Sequence, residues 1–370
     1  MKNGLYLTTL NVYSKESSTQ GIHLKILNQV KSLNIEDQTK CKIYILPAFK
    51  RRNHLLTLLS MLFVDIYKKI YIDLYSYDFV YIRNIQPVTY SYIKMLKMLK
   101  KYNNKIKIIL EIPTYPYNNE NDTLRKKIVL LISKIPSLKL KKYVDRVVTF
   151  STHNEILGIK TIKTINGITC ADIHLRKPKP LNQDINLIAV AYFSYHHGYE
   201  RLLEGLYNYY KQEFHEKVYI HFVGEGDEVN LYKKLVNQYQ LSKYVIFYNA
   251  LQGENLTNVY NIADMAINSL GCHKINIYLS SALKSREYLA RGIPMVSSTK
   301  IDVLPEGFKF CFYVPEDESP IDIKTVVQYY NNLTAKYNVS EMVNEIRDFA
   351  EDHCEMTVTM KPVIDYIKGI

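Results

Sequence analysis

The sequence predicts an α/β chain of two Rossmann-like β/α/β domains, and three observations carry that prediction. Short apolar strands alternate with helix-period segments along both halves. A Pro- and Lys-rich stretch interrupts the alternation once. The 370 residues, 47% of them hydrophobic, suffice for two separate cores.

In the first half, residues 4–10, 41–46, 78–82, 106–112 and 146–150 are short runs rich in Ile, Val and Tyr, as buried strands are. Segments 22–33, 88–101 and 124–142 carry apolar residues at three- and four-residue spacing and are expected to be helices. A doubly wound sheet is the economical arrangement. Residues 175–184, centred on Lys177-Pro178-Lys179-Pro180, have no apolar period and are expected to link the two domains. Alternation then resumes. Strands are expected at 186–192, 217–223, 244–248, 265–267 and 294–298, and helices at 200–210, 228–239, 255–262, 282–291 and from 322 onward. The expected domains are therefore 1–174 and 185–370, with the last helix free to cross back to the first.

Residues 1–10 lack the layout of a signal peptide and read as a first strand. The longest apolar run, 55–64, is interrupted by Thr57 and Ser60 and is far shorter than the roughly 20 residues of a spanning helix. Five dispersed Cys residues with no Cys-x-x-Cys pair argue against a disulfide framework or zinc site and favour a reducing cytoplasm. The net charge of +12 is unevenly spread. Residues 1–180 hold 31 Lys and Arg against 12 Asp and Glu, whereas the remainder holds 17 against 24. A basic half attracts polyanions, whether nucleic acid or anionic lipid.

Near the C-terminal third, Lys284-Ser285-Arg286-Glu287-Tyr288-Leu289-Ala290-Arg291-Gly292-Ile293-Pro294 reads as a helix closed by Gly and followed by an apolar strand. Lys284 and Glu287 lie three apart on one face. A carboxylate there can accept both hydroxyls of a ribose, and an ammonium near the helix N-terminus can meet a diphosphate. A solvent-facing ion pair would use the same spacing.

This stretch resembles the nucleotide-binding helix of the retaining family-four glycosyltransferases of the GT-B fold, in which K-x-x-E-Y-L-A-x-G-x-P recurs. The resemblance extends to Val223-Gly224-Glu225-Gly226, to Val259-Tyr260-Asn261-Ile262-Ala263-Asp264 and to Asn166-Gly167-Ile168. It implies two Rossmann-like domains facing each other across a cleft, a donor site for a nucleotide-diphosphate sugar, and retaining transfer without a metal or other cofactor. Glu287 would hold the ribose and Lys284 the diphosphate, with Gly224, Glu225, Gly226 and Leu283 bordering the donor.

The sequence departs from the family pattern twice. Leu279 stands where many members have an acid eight positions before the ribose ligand, which leaves Ser280 and Ser281 to handle the donor sugar. The usual basic pair after the second domain's first strand is missing from Phe193-Ser194-Tyr195-His196-His197-Gly198-Tyr199-Glu200-Arg201, where Arg201 is the candidate phosphate contact and His197 a sugar- or phosphate-facing residue. Adjacent histidines point apart, and no third ligand accompanies them at metal spacing.

In the first half, Glu111-Ile112-Pro113-Thr114-Tyr115-Pro116-Tyr117 ends a strand, where ligands of such sheets bind. The run resembles bacterial capsular and exopolysaccharide glycosyltransferases of the same superfamily. Glu111, Thr114, Tyr115 and Tyr117 are thus acceptor candidates, as are Gly21, Lys25 and Arg83, and His23 is a catalytic candidate with Lys284 and Arg201. The segment 124–135 alternates cationic and apolar patches, and Arg51-Arg52 precedes the apolar run at Leu55. Both suit an anionic membrane surface. Tyr is abundant in both halves rather than interleaved with the basic clusters, which disfavours nucleic acid.

The sequence therefore points to a UDP- or GDP-sugar donor and a saccharide or lipid-linked saccharide acceptor at the inner face of the plasma membrane. A homodimer is compatible with it. A sugar-nucleotide epimerase of the same fold and a non-catalytic nucleotide-binding scaffold stay open as alternatives.

Overall fold

The computed structural model describes residues 1–13, 20–34, 39–49, 54–68, 76–83, 85–113, 115, 124–177, 184–212 and 216–370. The chain divides into two compact units, Met1–Ile165 with Met356–Ile370, and Asn166–Glu355. Residues 166–174 thus fall within the second unit, while 178–183, the core of the expected linker, lie outside the described residues.

The first unit runs β1 (Lys2–Thr8), α1 (Gln20–Leu33), β2 (Thr39–Ile45), α2 (His54–Phe63), β3 (Phe79–Arg83), α3 (Tyr90–Tyr102), β4 (Lys107–Ile112), α4 (Leu124–Ser137), β5 (Arg146–Thr149), β6 (Glu155–Ile156) and β7 (Ile159–Lys163). Its strands are ordered β2-β1-β3-β4-β5-β7-β6 and are parallel except for β6 against β7. Period-two alternation sends Leu5, Leu7, Val80 and Ile82 to one face, beneath Tyr92, Leu96 and Leu99 of α3. Tyr6, Phe79 and Tyr81 go to the other, beneath Ile26, Val30 and Leu33 of α1. The order reverses between β1 and β3, so the carboxyl ends of these strands border a crevice suited to ligands.

The second unit runs β8 (Asp184–Val190), α5 (Tyr199–Tyr210), β9 (Lys217–Val223), α6 (Val229–Gln238), β10 (Val245–Tyr248), α7 (Gly253–Ile262), β11 (Met265–Ile267), β12 (Leu279–Ser280), α8 (Leu283–Ala290), β13 (Met295–Ser297), β14 (Lys300–Ile301), β15 (Cys311–Tyr313), α9 (Ile323–Lys336) and α10 (Val339–Cys354). Its parallel six-stranded sheet has the order β10-β9-β8-β11-β13-β15, which places the switch point between β8 and β11. The final helix, α11 (Met356–Lys368), belongs to the first unit, where Met360, Val363 and Ile367 join the core beside α1.

The α/β fold class is as expected, and the differences are local. The helix expected over 124–142 stops at Ser137, just past Pro136, whose ring removes a helix hydrogen bond; a 3-10 turn, Leu140–Lys142, follows. The run at 55–64 lies largely in α2, and the strands β6, β7, β12, β14 and β15 are not among those expected: β6, β12 and β14 have only two residues each, and Ile159-Lys160-Thr161-Ile162-Lys163 of β7 does not alternate. Among the described residues, no helix is long and apolar enough to cross a membrane.

Candidate functional site

In the second unit, buried tyrosines build a floor at the switch point. The Tyr199 and Tyr288 hydroxyls both donate to the carbonyl of Ile267, the last residue of β11, at 3.3 Å. Tyr288 also accepts from the amide of Val190, the last residue of β8, at 3.1 Å. Lys284, in the first turn of α8, donates to the Tyr199 hydroxyl at 3.1 Å and lies 5.5 Å from the centre of that ring. It forms no ion pair with any described carboxylate, Glu287 included. Burial of its ammonium without a counter-charge lowers its pKa to about 7.

His197 stacks on Tyr199 with ring centres 5.5 Å apart. Its Nδ1 accepts from the Ser194 amide at 3.0 Å, so the neutral ring carries its proton on Nε2. Burial, and then the charges of Lys284 and His196, hold it well below the ordinary histidine value. It is a neutral donor beside a cation.

One turn further along α8, Glu287 receives Nε and Nη2 of Arg291 on a single oxygen, Oε1, at 3.1 and 3.0 Å. Arg291 in turn lies 4.0 Å from the centre of the Tyr260 ring. The carboxylate is thus held in place while Oε2 accepts nothing from Arg291.

The Gly224 and Gly226 loop runs under the chain that follows β8. Both glycines have positive φ, and a Cβ on Gly226 would come within 2.3 Å of the Phe193 backbone. Gly226→Ala is therefore expected to destabilise the second unit by about 1–3 kcal/mol or more through backbone strain, read as a lowered melting temperature. Glu225 is exposed, and its carbonyl accepts from the Phe193 amide at 2.6 Å.

Arg201, Ser281 and Ser280, all expected at a ligand, also make contacts within the framework. Arg201 is buried, with Nε on the Ser319 carbonyl (2.7 Å), Nη1 on that of Leu270, and Nη2 on the Pro315 carbonyl (2.9 Å) and Asp317 (3.3 Å). Its donors brace loops, which corrects its expected role as the phosphate contact. The Ser281 hydroxyl accepts from the Asn166 amide (3.0 Å) and Arg286 Nη2 (3.3 Å), leaving only its own proton for a ligand. Ser280 is buried, and its carbonyl accepts from the Asp302 amide at 3.1 Å. Leu283 is half-buried at the start of α8. Arg286, which sequence reasoning passed over, is fully buried and ties Asn166, Ala282, Ser281 and Asp302 together.

In the first unit, Glu111, near the carboxyl end of β4, is fully buried inside a polar cage. It accepts from Lys25 (3.2 Å) and Gln29 (2.6 Å) of α1, and from Tyr81 (2.5 Å) and Arg83 (3.0 Å) of β3. Gln29 accepts in turn from the Tyr6 hydroxyl at 2.7 Å. Burial would raise the Glu111 pKa, but Lys25, Arg83 and the hydrogen bonds of Tyr81 and Gln29 outweigh it and hold the carboxyl near 2. Four internal donors saturate a carboxylate, so Glu111 is corrected from acceptor ligand to a residue that positions Lys25 and Arg83.

Lys25 is buried as well, over the Phe150 ring. His23 is 5% exposed, and its Nδ1 has no partner among the described residues. Gly21 is exposed, and a Cβ there would meet nothing within 4 Å among the described residues. Tyr115 is half-buried with its ring edge-on to His153 at 5.1 Å. Thr114 and Tyr117 lie outside the described residues.

Comparison with known proteins bears on this geometry. Residues 172–309, which include α8 and the switch point, match the family model for glycosyl transferases group 1. No curated protein matches the chain in sequence. Among solved structures, a glycosyltransferase from Rickettsia africae ESF-5 aligns with a TM-score of 0.62 at 15% identity, covering 100% of this chain and 98% of that one. Sucrose-phosphate synthase from Thermosynechococcus elongatus aligns with a TM-score of 0.65 at 13% identity, covering 100% of both chains. Anabaena HepE in complex with UDP and glucose aligns with a TM-score of 0.64 at 11% identity, again covering 100% of both. These alignments establish the GT-B fold, and the family match makes residues 172–309 similar to glycosyl transferases group 1.

Proposed function

From the family match over residues 172–309 and the GT-B fold, we propose that the chain is a glycosyltransferase that moves a sugar from a UDP-sugar, with retention and without a metal, onto a saccharide acceptor carried on a lipid at the cytoplasmic membrane face, in the assembly of a bacterial cell-surface polysaccharide. The observation that supports it best is Lys284: a half-buried lysine at the β8/β11 switch point whose ammonium has a tyrosine hydroxyl and no described carboxylate beside it. Such a charge calls for an anion, and a diphosphate supplies one. Glu287, one turn along the same helix, offers Oε2 to a ribose. The neutral Nε2–H of His197 is a third group suited to the donor.

On this reading no protein nucleophile is needed. The departing diphosphate assists the acceptor hydroxyl, and the residues contribute position and charge. Lys284 neutralises the charge that develops on the leaving group. Arg83 and Lys25, set by Glu111, are the acceptor-side cations of the first unit. HepE, a UDP- and glucose-binding neighbour in fold, favours uridine as the base.

A thermal-shift panel of UDP, GDP, ADP and TDP tests the reading. A ligand at about 100 times its dissociation constant adds roughly 2.7 kcal/mol to the folded state. UDP should give the largest shift. Hydrogen bonds to charged groups contribute about 1.5–3 kcal/mol, so Glu287→Ala should weaken UDP binding on the order of 10- to 100-fold. If no nucleotide shifts the wild type, the donor assignment fails.

A further inference from the structure

We propose that the outward faces of α2 and α4 form a docking surface that seats the first unit on an anionic lipid bilayer, with α2 entering the headgroup boundary. The inference deepens the lipid-borne acceptor reading and rests on it for its purpose.

The pattern of α2 is inside-out. Leu56, Leu59 and Leu62 recur every three residues along its exposed side, and Phe63 and Val64 continue the surface at 80% and 50% exposure. Thr57, by contrast, is buried. Water opposes such a face unless something covers it. The described part of α4 repeats the arrangement. Leu131 and Ile135, one turn apart, and Leu138 just beyond the helix are all exposed. Ser133 is buried, with its hydroxyl on the Val129 carbonyl and receiving the Val88 amide.

The two helices flank the same place. Asp65, just past α2, accepts from Ser91 and pairs with Lys94 at the start of α3, while α4 reaches Val88 through Ser133, and Lys139 lies over the Tyr90 ring. The crossovers after β2, β3 and β4 all run in one direction across the sheet, so right-handed connection puts α2, α3 and α4 on one face.

Charge selects the occupant. Lys94, Lys97, Lys134, Lys141 and Lys142 are exposed on or beside these helices, in the half of the chain where 31 Lys and Arg face 12 Asp and Glu. Apolar side chains interspersed with lysine match an anionic interface, where hydrocarbon and lipid phosphate are met together.

The chain contains no tryptophan, so Phe63→Trp introduces a sole tryptophan, excited selectively over the tyrosines, at the proposed point of entry. Mixed with vesicles of phosphatidylglycerol and phosphatidylcholine, this variant should shift to the blue and be quenched by brominated lipid. Leu231→Trp, on an exposed face of α6, should do neither. In vesicle flotation, Leu59→Glu combined with Leu131→Glu should lower partitioning by about tenfold or more, with an unchanged melting temperature because both positions are exposed.

The proposal falls if the wild type ignores anionic vesicles or if the double variant binds them equally. It also falls if the wild type sediments as a dimer that the double variant splits, since a second copy would then cover the face. UDP shifts measured on the same preparations separate the two ideas. A wild type that binds UDP but ignores anionic vesicles sinks the docking surface alone, and one that binds vesicles but no nucleotide sinks the donor assignment alone.

Discussion

A UDP-sugar should bind with decreasing affinity as pH rises above about 7, and at about pH 8.5 its binding should take up close to one proton. The cause is Lys284, whose burial beside Tyr199 lowers its pKa to about 7. Above that pH most free protein carries the neutral amine, which cannot neutralise a diphosphate. A bound diphosphate favours the ammonium and raises the pKa again, so binding draws in the missing proton. The diphosphate of a UDP-sugar is substituted at both ends and does not titrate in this range, so the proton belongs to the protein.

Stability of the unliganded protein should move oppositely. The unfolded lysine titrates near 10.5 and the folded one near 7, so between these values the unfolded state holds more protons and stability rises with pH. Calorimetric titration in buffers of different ionisation enthalpy reads the proton directly. Lys284→Met should abolish the uptake and lower turnover by about 10²–10³, the usual effect of removing one group that stabilises developing charge. Uptake that survives in the variant would assign the proton to another group.

How far this site was legible in sequence depends on how local its parts are. Lys284, Glu287 and Gly292 fall within one helix and its cap, so spacing alone puts the two charged side chains on one face. Arg201 misled because the carbonyls that occupy it belong to Leu270, Pro315 and Ser319, distant in sequence and unmarked by any residue type. Arg286 was passed over for the same reason, since its partners Asn166 and Asp302 come from separate segments.

The sheets were readable because fully buried parallel strands appear as continuous Ile, Val and Tyr runs. The helix α2 was harder to recognise. His-Leu-Leu-Thr-Leu-Leu-Ser-Met-Leu-Phe is apolar around nearly its whole circumference, so no period separates an inner face from an outer one. A sequence shows a face only where two faces differ.

Glu111→Ala should be the most destabilising single change in the first unit, by about 3–5 kcal/mol, because it leaves Lys25 and Arg83 without their shared carboxylate. Lys25 and Gln29 come from α1, Tyr81 and Arg83 from β3, and Glu111 from β4, so the cage ties the first helix to the strands at the switch point. Glu111→Gln keeps the shape and removes the charge, which isolates the electrostatic part. The carboxyl titrates at an ordinary 4.5 when unfolded and near 2 when folded. Its stabilisation is therefore complete above about pH 4.5 and is lost as pH falls toward 2. Urea unfolding followed from about pH 7 down to about pH 3 should show the wild type losing its advantage over Glu111→Gln along that range. Parallel profiles would mean that the ionised carboxylate contributes nothing. The UDP shift of the second unit should survive both substitutions, because the donor groups Lys284 and Glu287 belong to a separate core.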